Sequence, residues 1–291
     1  IILQKLINSS LNLFQDSTKS QEIINPYPSL LLLRQNYISD FKLELYKPVI
    51  CLILQGAKET TVEDLSIQFE AGQMLIVSHD IPVVSRIVKA SPSKPYIAMI
   101  LSLNIEVLRS LFEEVGEHID WKSKDTPMVL KEQVEEETLL CFERYLTIMK
   151  SSLETKVIEP MLYREIHFRI LMSPSAFMLQ RLLRFDSNAS RILVAIHEFR
   201  KNFKRPIAIP RIAEKIGMGV SSFHSHFKNI TQKTPLQYQK DLRLIEANQL
   251  LREGKQSVTE IALLVGYESP NQFSREYKKK FGITPKSDLP N

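Results

Sequence analysis

Apolar and polar positions follow two different rhythms along this chain. Between residues 30 and 103 the apolar residues come in short runs, at 30–33, 43–45, 49–54, 66–69, 74–77, 83–88 and 96–101, broken by Pro48, Gly56, Gly72, Pro82 and Pro92. Short runs bounded by turn-formers predict strands, and many such strands predict a small barrel or sandwich. From about residue 105 the period lengthens, and helices are expected at 105–115, 132–150 and 159–183. Polar turn-formers at 184–190 then interrupt the pattern and mark a linker.

The last hundred residues contain an internal repeat. Ala213-Glu-Lys-Ile-Gly-Met is followed by Phe223, Phe227 and Thr234-Pro235; Ala262-Leu-Leu-Val-Gly-Tyr is followed by Phe273, Tyr277 and Thr284-Pro285, at an offset of 49 to 50 residues. In each copy a short helix carrying an alanine ends at a glycine, Gly217 or Gly266, the residue that closes a helix in the left-handed conformation with least strain. A second helix follows, with aromatics four residues apart that bury one stripe and leave the opposite face free. Ser257-Val-Thr-Glu260 reads as a capping box, and Ser269-Pro270 and Thr234-Pro235 each set a capping hydroxyl before a proline at the first helical position. Residues 235–252 hold no glycine and read as one connecting helix, about 27 Å long at 1.5 Å per residue. That approaches the roughly 34 Å between successive major grooves on one face of B-DNA.

The chain has 291 residues, 44% hydrophobic and 24% charged, which predicts two soluble globular domains. Its net charge of +5 is unevenly spread: residues 1–188 hold 20 Lys+Arg against 24 Asp+Glu, a net of −4, while residues 189–291 hold 18 against 9, a net of +9. A basic module beside a slightly acidic one suits a phosphate-binding domain joined to a non-binding one. No apolar run approaches the ~20 residues of a membrane span. Residues 1–14 are interrupted by Asn8, Ser9, Ser10 and Asn12, so no signal peptide is expected, and only Cys51 and Cys141 occur, so neither is a disulfide framework. The expected location is the cytoplasm.

Arg243-Leu-Ile-Glu-Ala-Asn-Gln-Leu-Leu, Ser257-Val-Thr-Glu-Ile-Ala, Val265-Gly-Tyr and Ser269-Pro-Asn-Gln-Phe-Ser-Arg-Glu-Tyr-Lys-Lys-Lys-Phe-Gly-Ile-Thr-Pro resemble the DNA-binding domain of AraC/XylS transcription regulators, over residues 190–287. Tyr46-Lys-Pro-Val-Ile-Cys-Leu-Ile-Leu-Gln-Gly-Ala-Lys and Phe69-Glu-Ala-Gly-Gln-Met-Leu-Ile-Val resemble, more loosely, the cupin-like N-terminal domain of a branch that includes aldehyde-responsive regulators. The resemblance implies an α+β chain. Residues 1–103 would form an N-terminal arm and cupin-like β-barrel, 104–185 a helical interface segment, 186–190 a linker, and 191–291 an all-α double helix-turn-helix. It also implies a double-stranded DNA partner, a small-molecule effector in the barrel, a homodimer, and RNA polymerase as a further partner; the alternative is a DNA-binding regulator without ligand whose N-terminal domain only dimerises.

Base reading needs side chains on the outward face of each second helix. These are Ser221, His224 and Ser225 in the first copy and Asn271, Ser274 and Arg275 in the second. Ser225 stands where the family often has arginine and makes no bidentate guanine contact, so the first motif is expected to read sequence more weakly. Lys228, Lys278, Lys279 and Lys280 are expected on phosphates. His224 and His226, two apart, fall on different helix faces and make a poor metal pair.

Metal-dependent cupins need several histidines and a glutamate, and the barrel segment has only His79, so no metal, cofactor or catalysis is expected. His79 reads as a turn residue or a pocket hydrogen-bonder. Cys51 reads as a buried, inert thiol, with a redox or aldehyde-reactive role, which needs a lowered pKa and access, as the alternative. These two are the candidate effector-pocket residues.

Overall fold

The computed structural model describes residues 1–15, 19–62, 65–115, 129–148, 152–183 and 187–290. The chain divides into two compact units, the first built chiefly from residues before about 185 and the second from those after.

The first unit opens with helix α1 (Ile2–Leu11), which buries Leu6, Ile7 and Ser10. The strands are β1 (Gln21–Tyr27), β2 (Leu30–Gln35), β3 (Lys42–Tyr46), β4 (Val49–Gln55), β5 (Ala57–Val62), β6 (Leu65–Glu70), β7 (Gln73–Val77), β8 (Ile81–Lys89), β9 (Tyr96–Ser102) and β10 (Val129–Gln133), with Leu43–Leu45 of β3 and Ile81–Val83 of β8 belonging to the second unit. They form a six-stranded sheet in the order β1-β2-β9-β4-β7-β10 and a four-stranded sheet in the order β3-β8-β5-β6. In the larger sheet β4 lies between β9 and β7, with Cys51 opposite Ile100 and Leu75. Ile50 through Leu54 are all buried, because one face of β4 meets the other sheet and the other face meets α1. A strand covered on both sides reads as a continuous apolar run. The smaller sheet alternates: Ile81, Val83, Ser85 and Ile87 of β8 turn inward, and Thr60 of β5, paired with Ser85, is buried with them.

After the strands come α2 (Ile105–Val115), α3 (Glu136–Thr147), α4 (Ser152–Met172) and α5 (Phe177–Leu183). The helix expected over 132–150 needs correction at its start, since α3 begins only at Glu136. Residues 129–133 are strand, paired with β7 from Val129↔Val77 to Gln133↔Gln73, so Glu132 and Gln133 do not begin a helix. Pairing with an existing sheet edge overrides local preference here. Strands β1 and β5 also escape the hydrophobic pattern, β1 because Asn25-Pro26 fall where its register shifts and β5 because its inward face includes a threonine. The helix expected from residue 159 starts at Ser152 and carries Pro160 inside it. No helix among the described residues is long and apolar enough to cross a membrane.

The second unit holds α6 (Asn188–Asn202), α7 (Ile209–Lys215), α8 (Val220–Thr231), α9 (Pro235–Glu253), α10 (Val258–Leu264) and α11 (Pro270–Phe281). Residues 184–186 of the expected linker lie outside the described residues. Its remainder is helix-starting: the Ser187 side chain accepts from the Ser190 backbone N–H, so the polar residues taken for linker are a cap on α6. Ser257 with Glu260, and Thr234 with Gln237, form complete capping boxes on α10 and α9. Ile192, Ile196, Phe199, Ala213, Phe223, Phe227 and Tyr238 make one core, while Ile261, Ala262, Val265, Tyr267, Phe273 and Tyr277 are buried in the second copy.

One buried histidine should make the stability of the first unit pH-dependent. His167 of α4 is fully buried; its Nε2 accepts from the Asn104 backbone N–H at 2.9 Å, and its Nδ1 lies 2.7 Å from the Tyr163 carbonyl, to which it donates. Burial pushes its pKa down from 6.5 to about 4, against the opposing pull of that carbonyl. A folded-state value below the unfolded one stabilises the fold fully above the unfolded pKa and loses that contribution as pH falls through the folded one. The whole loss is about 3 kcal/mol, at about 1.4 kcal/mol per pH unit of separation. Urea midpoints should therefore fall between about pH 6.5 and about pH 4, and His167→Gln should flatten that limb. A variant whose midpoints track the wild type in parallel would contradict the assignment.

Candidate nucleic-acid interface

The two repeats fold as two helix-turn-helix motifs, α7–α8 and α10–α11, joined by α9. At 19 residues α9 is about 28 Å long. Each turn uses its glycine in the left-handed region, Gly217 at φ +67 and Gly266 at φ +97. In α8, Phe223 and Phe227 are fully buried; in α11, Phe273 and Tyr277 are. Their rings meet tilted to one another, Phe223–Phe227 at 5.4 Å and Phe273–Tyr277 at 5.5 Å between centroids. Burying those stripes turns the opposite faces outward.

On those outward faces Ser221, His224, Ser225 and Lys228 are exposed in α8, and Asn271, Arg275, Lys278 and Lys279 in α11; Ser274 is half-buried. At an offset of fifty residues Ser221 matches Asn271, Ser225 matches Arg275 and Lys228 matches Lys278. The same offset adds Ser222 and Gln272, both exposed on the first turns, to the residues expected from the sequence.

Lys280 differs from its two lysine neighbours. It is half-buried, and its ammonium lies 2.8 Å from an Asp241 carboxylate oxygen. Its equivalent in the first motif is Ile230, which packs on the core. Three residues past Tyr277, position 280 leans toward the buried side of the helix. The Asn188 side-chain amide donates to Nε2 of His226 at 3.0 Å, turning that ring toward α6.

The second motif is tied to α9 by a polar network. Glu276 accepts from Lys240 at 2.7 Å, from the Tyr267 hydroxyl at 2.8 Å and from Gln272 at 3.1 Å. Burial acts to raise the Glu276 carboxyl, but these donors outweigh it and hold the group below the usual carboxylate range. Arg243 lies over the Tyr267 ring at 5.7 Å and donates to the Phe203 carbonyl at 2.8 Å. Burial lowers the Arg243 pKa from its usual value.

In the first unit Cys51 is buried in mid-β4, while His79 is buried just past the end of β7, with its Nδ1 2.9 Å from the Ser78 hydroxyl. An open cleft of about 670 Å³ lies elsewhere, between α1 and the ends of β4, β6 and β8. Leu3, Ile7, Ile38, Leu54 and Val88 give it apolar walls, and Glu70, Lys89 and Lys94 contribute charges of both signs; neither Cys51 nor His79 lines it. Among the described residues no three His, Cys, Asp or Glu side chains gather as a metal site.

Comparison with known proteins follows the same division. Residues 26–178 match the family described as AraC-type transcriptional regulator N-terminus, and residues 212–289 match that described as Helix-turn-helix domain. The HTH-type transcriptional regulator CdhR of Pseudomonas aeruginosa is 31% identical over 110 residues, 38% of this chain and 33% of that protein. The HTH-type transcriptional activator RhaS of Escherichia fergusonii is 32% identical over 124 residues, 42% of this chain and 44% of that protein. The chain thus spans less than half the length of these curated relatives. Among solved structures, ToxT from Vibrio cholerae O395 bound to (E)-4-(8-methylnaphthalen-1-yl)but-3-enoic acid shares the fold at a TM-score of 0.56 and 12% identity, covering 92% of this chain and 98% of that one. Unsaturated fatty acid bound ToxT from strain SCE256 gives a TM-score of 0.54 at 11% identity, covering 94% and 96%.

Proposed function

We propose, for a chain that belongs to the AraC family of DNA-binding transcription regulators, that α8 and α11 of one monomer enter successive major grooves on one face of DNA and that a small molecule in the N-terminal unit controls how they engage. The observation that carries this reading is the repeat. It sets two equivalent outward faces on either side of a strut whose length approaches one groove repeat. Ser221, His224, Ser225, Asn271, Ser274 and Arg275 read base edges, and Lys228, Lys278 and Lys279 hold phosphates, with Ser222 and Gln272 added at the helix starts. Lys280 serves the phosphate backbone less directly, because Asp241 already occupies it. The chain is a regulator rather than an enzyme, as its named relatives are.

The effector reading is supported by the match to the regulatory N-terminal domain and by neighbours of the same fold solved with small organic acids. The cleft beside α1 has the volume of a small-molecule site, within the usual range of about 300–1,000 Å³. Cys51 and His79 remain candidates for ligand contact from inside the sheets. Such a ligand acts only through unequal affinity for two arrangements of the regulator. Assembly with a second copy is supported by the apolar stripe Leu153, Val157 and Met161 on α4, which stays exposed at i, i+4 and i+8. Light scattering of the full chain should return twice the chain mass. Transcription control through RNA polymerase completes the reading in the cytoplasm.

The test is the salt dependence of the full chain's affinity for a site recovered from random DNA. With at least three phosphate-bound lysines, log affinity should fall against log salt with a slope of about −3 or steeper. A flat line would sink the reading. Titration of that complex with small aldehydes, sugars and organic acids should reveal a compound that changes the affinity; insensitivity across all three classes would remove the effector.

A further inference from the structure

Asp241 sits in α9 at the junction of the two motifs and is buried, 7% exposed. Its two oxygens are divided between them. One accepts from the ammonium of Lys233, itself buried, in the turn that follows α8; the other is 2.8 Å from the ammonium of Lys280 in the last turn of α11. One carboxylate therefore holds the tails of both candidate recognition helices. The adjacent residue adds a second tie to α11, since Lys240 reaches Glu276 at 2.7 Å, one turn before Lys280.

Apolar side chains of similar volume would fill this junction at equal or lower free energy, because burying charges costs nearly as much as their attraction returns. What a shared carboxylate adds is direction: two ammonium groups must converge on two oxygens a fixed distance apart. We propose that Asp241 is a positioning residue which sets the separation and angle at which α8 and α11 meet DNA, and so the number of base pairs this regulator accepts between two half-elements. The proposal rests on the reading that both helices engage one duplex.

The experiment uses the full chain and a panel of duplexes in which the two half-elements of the selected site are moved apart or together one base pair at a time. A duplex with a single half-element and a thermal melt accompany each protein. The wild type should prefer one spacing by about tenfold or more, as expected when misplacement costs a base-pair contact. In the double variant Lys233→Met/Asp241→Leu the Lys280 ammonium, on a side chain 27% exposed, is released to solvent; the variant should melt close to the wild type and bind the single half-element within about twofold, while its spacing preference shrinks to about threefold or less. A folded double variant that keeps the wild-type spacing preference overturns the role of Asp241 alone. A wild type indifferent to spacing overturns the two-groove reading and the proposal with it. Should the double variant fail to fold, Lys280→Met cuts only the α11 half of the bridge; a flattened preference supports the proposal and an intact one overturns it.

Discussion

Gly266→Ala should cost the second unit about 3 kcal/mol or more and take specific DNA binding with it. The glycine closes the turn between α10 and α11 at φ +97, where an L side chain is strained by about 1–2 kcal/mol before any contact is counted. A Cβ there would lie 2.1 Å from the Lys204 carbonyl oxygen and 2.8 Å from its carbon. That stretch of backbone has little freedom to retreat. Gln239 donates to the Phe203 and Arg205 carbonyls at 2.9 and 2.7 Å, and Arg243 donates to Phe203 at 2.8 Å. Gly282, which closes α11 at φ +77, has nothing within 4 Å of its would-be Cβ. Gly282→Ala should therefore pay only the conformational cost, about 1–2 kcal/mol. Urea unfolding followed by circular dichroism separates the two, and equal losses would contradict the steric account.

Arg275→Ala should relax sequence preference at one position of the site, costing about 1–3 kcal/mol of discrimination, or roughly fivefold to 150-fold. Arg275 is exposed on the outward face of α11, with a fork suited to the two acceptors of a guanine. Lys279→Ala, also exposed, should weaken every sequence alike and reduce the salt slope by about one. The matching position in the first motif is Ser225, so the second motif should carry more of the specificity. Binding measured on a set of single-base variants of the selected site distinguishes the two. Identical profiles for Arg275→Ala and Lys279→Ala would overturn the division into base and phosphate contacts.

The helical unit was the more legible half of the chain because its signals are local. Capping boxes, turn glycines and aromatics four apart all act within a few residues, and the start and end of α9 follow from Thr234-Pro235 and Gly254. The strands were legible where they are buried on both faces, as in β4. They were not where pairing decides: β10 is strand because β7, more than fifty residues earlier, offers an edge. Lys280 shows the same limit at the site. A run of three lysines suggests one common role, yet helical phase turns the third toward Asp241. Comparison with Ile230 one repeat earlier contains that signal. The cleft beside α1 draws its lining from residues spread between Leu3 and Lys94, a gathering no local pattern announces.

Guanine methylation interference on the selected site, bound by the full chain, tests the central claim most directly. Two recognition helices in successive grooves predict two patches of major-groove interference about one helical turn apart, on the same face of the duplex, with the stronger patch lost in Arg275→Ala. A single patch, or two patches on opposite faces, would contradict it.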